Sequence, residues 1–116
     1  MALKGKGMNQ KQIVPNTGIV KMIRSTVHAQ DPQAQIILYG SRARGTQRND
    51  SDWDILILVD NPNMSVAERG ALEYALWDKG MDMGQEVNAT AYTKSQWESA
   101  PPTLFKHNVI NEGVLL

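Results

Sequence analysis

Asp52 and Asp54 stand one residue apart at the entrance to the most apolar run of the chain, in the stretch SDWDILILVD. In an extended strand alternate side chains share a face, so both carboxylates line one rim and Trp53 faces the other way. Two acids this close repel each other when ionised. A hard divalent cation such as Mg²⁺ relieves that repulsion, because it takes oxygen ligands from carboxylates and phosphates together. Upstream, Gly40 and Ser41 follow a short apolar segment, with Arg42, Arg44 and Arg48 close behind. A residue without a side chain lets phosphate oxygens reach the backbone N–H groups at the head of a short helical turn over residues 41–43. The Ser41 hydroxyl adds a donor, and arginine forks suit phosphate geometry. Acids for a metal and a turn for an anion are the parts of a nucleoside triphosphate site.

Each half alone is ordinary. A D-x-D before an apolar strand is commonly a solvated strand start, a Gly-Ser after a strand is commonly a turn, and loop arginines mostly face water. Their order carries the functional reading: strand, Gly-Ser, three arginines, then D-x-D entering a buried strand, all between Leu38 and Asp60. There is no G-K-[ST] of a P-loop and no G-x-G-x-x-G of a dinucleotide fold.

Regular elements must position these residues. Asn16 or Thr17 is a plausible N-cap for an amphipathic helix reaching about Ala29, with Ile19, Met22, Ile23 and Val27 at helical spacing. Asp31 and Pro32 break it, and AQIILYG predicts a buried strand ending at Gly40. After the TQRND loop, residues 55–59 are apolar on both faces, as in the central strand of a covered sheet. Ser65 with Glu68 forms a capping box for a helix through about Lys79, with Ala67, Ala71, Leu72, Ala75 and Leu76 as its core stripe. GMDMG ends that helix, and QEVNATAYT alternates as a third strand. A short helix over 94–98, another opened by Pro101 and Pro102, and a last edge strand GVLL complete the chain. Trp77 and Trp97 are expected in packing roles. His28 and His107 have no partner at metal-ligand spacing. This order predicts an α/β (α+β) fold, a small mixed sheet covered by helices.

The 116 residues fit one domain, read as an N-terminal arm over residues 1–15, flexible or partly helical, and a single domain over 16–116. Hydrophobic residues make up 41% and charged residues 21%, as in ordinary globular chains. Twelve basic residues balance twelve acidic ones, so no net field draws the chain to nucleic acid or an anionic membrane. There is no cysteine, hence no disulfide framework or thiolate zinc site. No apolar run nears the roughly 18 residues that span a bilayer, and the start has no signal-peptide core. A cytoplasmic protein is expected.

GSRARG followed by SDWDILIL resembles the nucleotidyltransferase signature, a G-S motif followed by D-x-D on the next strand. It is similar to the minimal nucleotidyltransferases (MNT), single-domain relatives of DNA polymerase beta. The resemblance covers residues 36–59 most strongly and the rest in element order. It implies that Gly40 and Ser41, with Arg42, Arg44 and Arg48, hold a nucleoside triphosphate, ATP being the expected one. It further implies that Asp52 and Asp54 bind Mg (or Mn), and that a nucleoside monophosphate passes to a hydroxyl acceptor. Minimal nucleotidyltransferases are often paired with small helical HEPN proteins as antitoxins, some adenylylating the partner. A HEPN-type partner or a homodimer is therefore the implied assembly.

Active relatives usually carry a third carboxylate on the strand after the long helix. In QEVNATAYT, Glu86, Asn88 and Thr90 share a face, and Glu86 is the expected third metal ligand and catalytic acid. By position relative to AYTKSQW, Asn88 occupies the place where many relatives have the acid; its carbonyl can coordinate but cannot act as a base. Asp82 reads as loop. Two functions follow: an active nucleotidyltransferase, or a nucleotide-binding antitoxin module with weak or no turnover.

Overall fold

The computed structural model describes residues 16–116; the expected arm over 1–15 lies outside them. Helix α1 (Thr17–Gln30) starts where the Asn16 side chain accepts from the Ile19 N–H. Strand β1 (Gln35–Tyr39) leads through Gly40 into the one-turn helix α2 (Ser41–Arg44), and strand β2 (Trp53–Val59) follows. Helix α3 (Val66–Asp82) opens on the expected capping box of Ser65 and Glu68. Then come strand β3 (Val87–Thr93), helix α4 (Lys94–Ser99), helix α5 (Leu104–Glu112) and the short strand β4 (Val114–Leu115). The Thr93 side chain caps α4, and Thr103, not a proline, caps α5.

The sheet has the order β3-β2-β1-β4 and is mixed: β1 runs antiparallel to β2 and β4, while β2 and β3 are parallel. The parallel pair needs a crossover, which α3 supplies. Strand β2 is central, and residues 55–59 are fully buried, as their two-sided apolarity predicts. Its odd-numbered side chains join Ile19, Ile23 and Val27 of α1 and Leu72 and Leu76 of α3 in the larger core. Leu56 and Leu58 pack with Ile37, Trp97 of α4 and Val109 of α5 on the opposite face. Helices therefore cover both faces.

The core stripe of α3 differs from the expected one. Leu72, Leu76 and Gly80 are buried, whereas Ala67 and Ala71 are exposed. The helix also runs past Lys79, because Gly80 packs against β3: a Cβ there would stand 2.7 Å from Val87 Cγ2. Trp77, expected in packing, is 41% exposed beside Tyr74 on the outer face. Trp97 is buried as expected.

Asp31 does more than end α1. Its buried carboxylate accepts from the Asp60 and Asn61 N–H groups (2.6 and 3.0 Å) and from the Gln33 N–H (3.1 Å). It thereby ties the exit of β2 to the turn before β1. Replacing it by alanine leaves three part-buried backbone donors without this acceptor, and a hydrogen bond to a charged group contributes about 1.5–3 kcal/mol. Asp31→Ala is expected to lower unfolding free energy by about 2–3 kcal/mol in urea titrations, with Asp31→Asn intermediate.

Candidate active site

The antiparallel register sets Tyr39 opposite Asp54, and the parallel register sets Asp54 opposite Asn88. A row Tyr39–Asp54–Asn88 thus crosses three strands on the face covered by α4 and α5. One residue beyond Tyr39, Gly40 turns the chain with φ +77° and ψ −159°, a conformation essentially reserved for glycine. A Cβ on Gly40 would collide with Asp54 Oδ2. The glycine is therefore required twice, by its backbone and by the carboxylate pressed against it.

The N–H groups of Ser41 and Arg42 begin α2 and have no acceptor within that single turn. The turn closes through Ala43 and Arg44 N–H bonds to the Gly40 carbonyl, and Gly45, with φ +80°, ends it. Asp54 lies within β2, and Asp52 immediately precedes the strand. The Asn88 amide donates to Asp52 Oδ2 at 3.0 Å. Both aspartates line one cleft, as alternation predicts, and Trp53 is fully buried on the other side.

Arg42 is not among the cleft's cations. It is buried, its guanidinium donates to the carbonyls of Ser51 (3.1 Å) and Asn49 (3.4 Å), and it stacks 4.3 Å over the Trp53 ring. Desolvation lowers its pKa while Asp52 opposes the shift. Trp53 in turn donates its indole N–H to Gln85 at 3.0 Å. Arg42 and Trp53 therefore brace the loop that delivers Asp52, and Arg42 does not line the cleft. Arg48 is exposed in the turn closed by Ser51 and does not line the cleft.

The cleft encloses about 460 Å³ and brings together Gly40, Ser41, Arg44, Asp52 and Asp54 with Phe105, Asn108 and Glu112 of α5. Arg44 Nη1 lies 3.3 Å from Glu112 Oε1, an exposed pair in which Glu112 shares the cation that would otherwise serve the aspartates. Asp54 is pushed above the ordinary carboxylate range, chiefly by burial and further by Asp52, with Arg44 pulling the other way. The Tyr39 hydroxyl is likewise raised by burial and by Asp54. Burial and repulsion by Asp52 thus outweigh Arg44 at Asp54, and a cation beside it would act in the same direction as Arg44.

Glu86 is exposed, precedes β3 and does not line the cleft. Among the described residues, no group of three or more His, Cys, Asp or Glu side chains is placed to hold a metal ion. Mg²⁺, however, is commonly held by one or two carboxylates together with substrate phosphates, so Asp52 and Asp54 fit that ion in the company of a triphosphate.

The family described as polymerase beta, nucleotidyltransferase, matches residues 21–116. The chain belongs to this nucleotidyltransferase family. Among solved structures, a toxin-antitoxin crystallised with AMP-PNP is 22% identical, with 87% of this chain and 72% of that one covered and a TM-score of 0.58. A Sulfolobus solfataricus protein assigned as a nucleotidyltransferase is 21% identical over 84% and 76% of the two chains, with a TM-score of 0.56. A mutant of the toxin-antitoxin MntA-HpeT is 25% identical over 90% and 72%, also at 0.56. The nucleotidyltransferase fold is shared with all three. No curated protein sequence matches the chain significantly.

Within this nucleotidyltransferase domain, the wall contributed by α5 escaped sequence reasoning. Phe105, Asn108 and Glu112 recur at spacings of three and four, which place them on one helix face. Nothing in a mixed polar and apolar trio marks that face as facing a site 50 residues earlier in sequence.

A folded-state pKa raised above its unfolded value means that ionising Asp54 costs stability. That cost appears as pH rises through the ordinary carboxylate range and is complete above the raised folded pKa. Asp54→Asn is therefore expected to be more stable than the native chain at pH 7 without divalent ions. The difference should shrink as pH falls below the ordinary Asp range, in urea midpoints measured from pH 3 to 8.

Proposed function

We propose that this domain binds a nucleoside triphosphate, ATP, with Mg (or Mn) and transfers a nucleoside monophosphate to a hydroxyl acceptor on a partner protein. The observation that carries this reading is the contact of Gly40 with the Asp54 carboxylate. It puts the free N–H groups of the Ser41 turn and the two aspartates in one cleft, so anion and cation sites adjoin. Mg²⁺ held by Asp52 and Asp54 would supply the charge that offsets the triphosphate and its departing pyrophosphate. Gly40 and Ser41 hold phosphate oxygens through backbone N–H groups and the Ser41 hydroxyl. Arg44, released from Glu112, adds a fork to the phosphate end.

The acceptor has its own approach. A second cleft of about 370 Å³ runs from Tyr39 past Asn88 and Thr90 to Tyr74 and Trp77 on the outer face of α3. Exposed aromatic side chains next to the reacting row suit a protein acceptor, and a HEPN-type helical protein is the partner class we favour over a second copy of this chain.

Asn88 supports a second reading, a nucleotide-binding antitoxin module with weak or no turnover. It stands opposite Asp54 and cannot take the acceptor's proton at neutral pH. In the active reading that proton passes to Glu86, the exposed acid immediately before the same strand, which must turn its side chain towards Asp52 once the acceptor is bound.

Incubation with labelled nucleotides, Mg²⁺ or Mn²⁺ and the partner protein decides between the readings. Label on the partner with the native chain, lost in Asp52→Asn/Asp54→Asn, is the expected outcome of the active reading. Glu86→Ala then abolishes label without loosening nucleotide binding, whereas undiminished label removes Glu86 from catalysis. Tight binding with no label at all supports the antitoxin module, and no binding of any triphosphate contradicts both readings.

Glu112→Gln removes the competitor for Arg44 and one negative charge. An exposed pair contributes up to about 1 kcal/mol, so triphosphate affinity is expected to rise about two- to fivefold in calorimetric titration.

A further inference from the structure

Resting on the proposed triphosphate reading, the geometry points to Phe105 and Asn108 as a nucleobase subsite that selects adenine. Three residues of α5, Phe105, Asn108 and Glu112, line the cleft. Glu112 sits at the phosphate end beside Arg44. From it to Phe105 the helix advances about 10 Å, carrying the wall from where phosphates lie towards where a base must lie.

Phe105 has the form of a stacking platform. Its ring is held by edge contacts with Tyr39 (centroids 5.4 Å apart, 81°) and Trp97 (6.0 Å, 89°). It nevertheless remains 38% exposed, an unusual state for a phenylalanine braced by two other rings. A fixed aromatic surface open to a cleft stacks a base with little ordering cost, and any base has the π-face it needs. Stacking alone does not choose between bases.

Asn108 supplies the choice. It is exposed, lines the cleft one turn beyond Phe105, and its amide makes no hydrogen bond among the described residues. Its helix neighbour Asn111 is by contrast paired with His107 at 2.8 Å. A side-chain amide presents an acceptor beside a donor, which matches the N6 amino donor and N7 acceptor of adenine. The corresponding edge of guanine offers two acceptors, O6 and N7, and leaves the amide oxygen facing a like group.

Calorimetric titration with ATP, GTP and inorganic tripolyphosphate, each with Mg²⁺, tests the subsite. Tripolyphosphate reports the phosphate site alone. The native chain is expected to bind ATP at least tenfold more tightly than GTP or tripolyphosphate. Phe105→Ala and Asn108→Ala should each weaken ATP about tenfold and leave tripolyphosphate unchanged. Asn108→Arg, which presents donors only to the O6 and N7 acceptors of guanine, should shift the ATP-to-GTP ratio towards GTP. Circular dichroism verifies folding, and Asn108→Arg keeps the question decidable should Phe105→Ala fail to fold. Equal affinity of the native chain for ATP and tripolyphosphate, or an Asn108→Arg ratio equal to the native one, would overturn the subsite while leaving the phosphate site standing. Absence of binding to all three would overturn both.

Discussion

The pairing of β1 with β2 sets Tyr39 opposite Asp54, and the whole cleft depends on what that register does one residue further on. The chain must turn at Gly40 while a carboxylate already occupies the space a side chain would need. Only glycine meets both demands, through its positive φ and its missing Cβ. Because the turn and the acid share that contact, the N–H groups opening α2 and the carboxylates of Asp52 and Asp54 cannot drift apart without breaking the centre of the sheet. A slip of one residue in the pairing would send Asp54 into the apolar core against α1 and α3.

Around this contact the fold tolerates an electrostatic cost. Burial and Asp52 both disfavour an ionised Asp54, and Arg44, which opposes them, is shared with Glu112. The cation best placed to help, Arg42, is committed to holding the loop of residues 49–51 over Trp53. Arg42 thus acts on the acid pair at Asp52 and through the loop it holds, and it is not among the causes that set the Asp54 carboxyl. A site that stores repulsion between carboxylates in this way is one that a divalent ion and a polyanion together would relieve.

Much of this was legible in the chain because it follows from periodicity and from local chemistry. The two-sided apolarity of residues 55–59 identified the central strand, Ser65 and Glu68 marked the start of α3, and Gly-Ser with D-x-D located the cleft. The illegible parts depend on distant partners. An arginine after Gly-Ser reads as a phosphate ligand until the carbonyls of Ser51 and Asn49 are found around it. Gly80 reads as a helix stop until Val87 is seen to fill the place of its side chain. Glu86 lies on the face that the two-residue period assigns to the rim, yet β3 begins one residue too late to fix it there. Phe105 and Asn108 meet the cleft only because α5 packs beside β1.

The central claim is that the turn at Gly40 and the two aspartates form one metal and phosphate site. Paramagnetic relaxation measures this directly: Mn²⁺ is titrated with a non-hydrolysable ATP analogue while backbone amide resonances are followed. The account requires broadening centred on residues 40–42 and 52–54, with Asn88 affected and the outer face of α1 untouched. Broadening centred elsewhere, or amide signals of Gly40 and Asp54 left sharp at saturating Mn²⁺ and nucleotide, would contradict it.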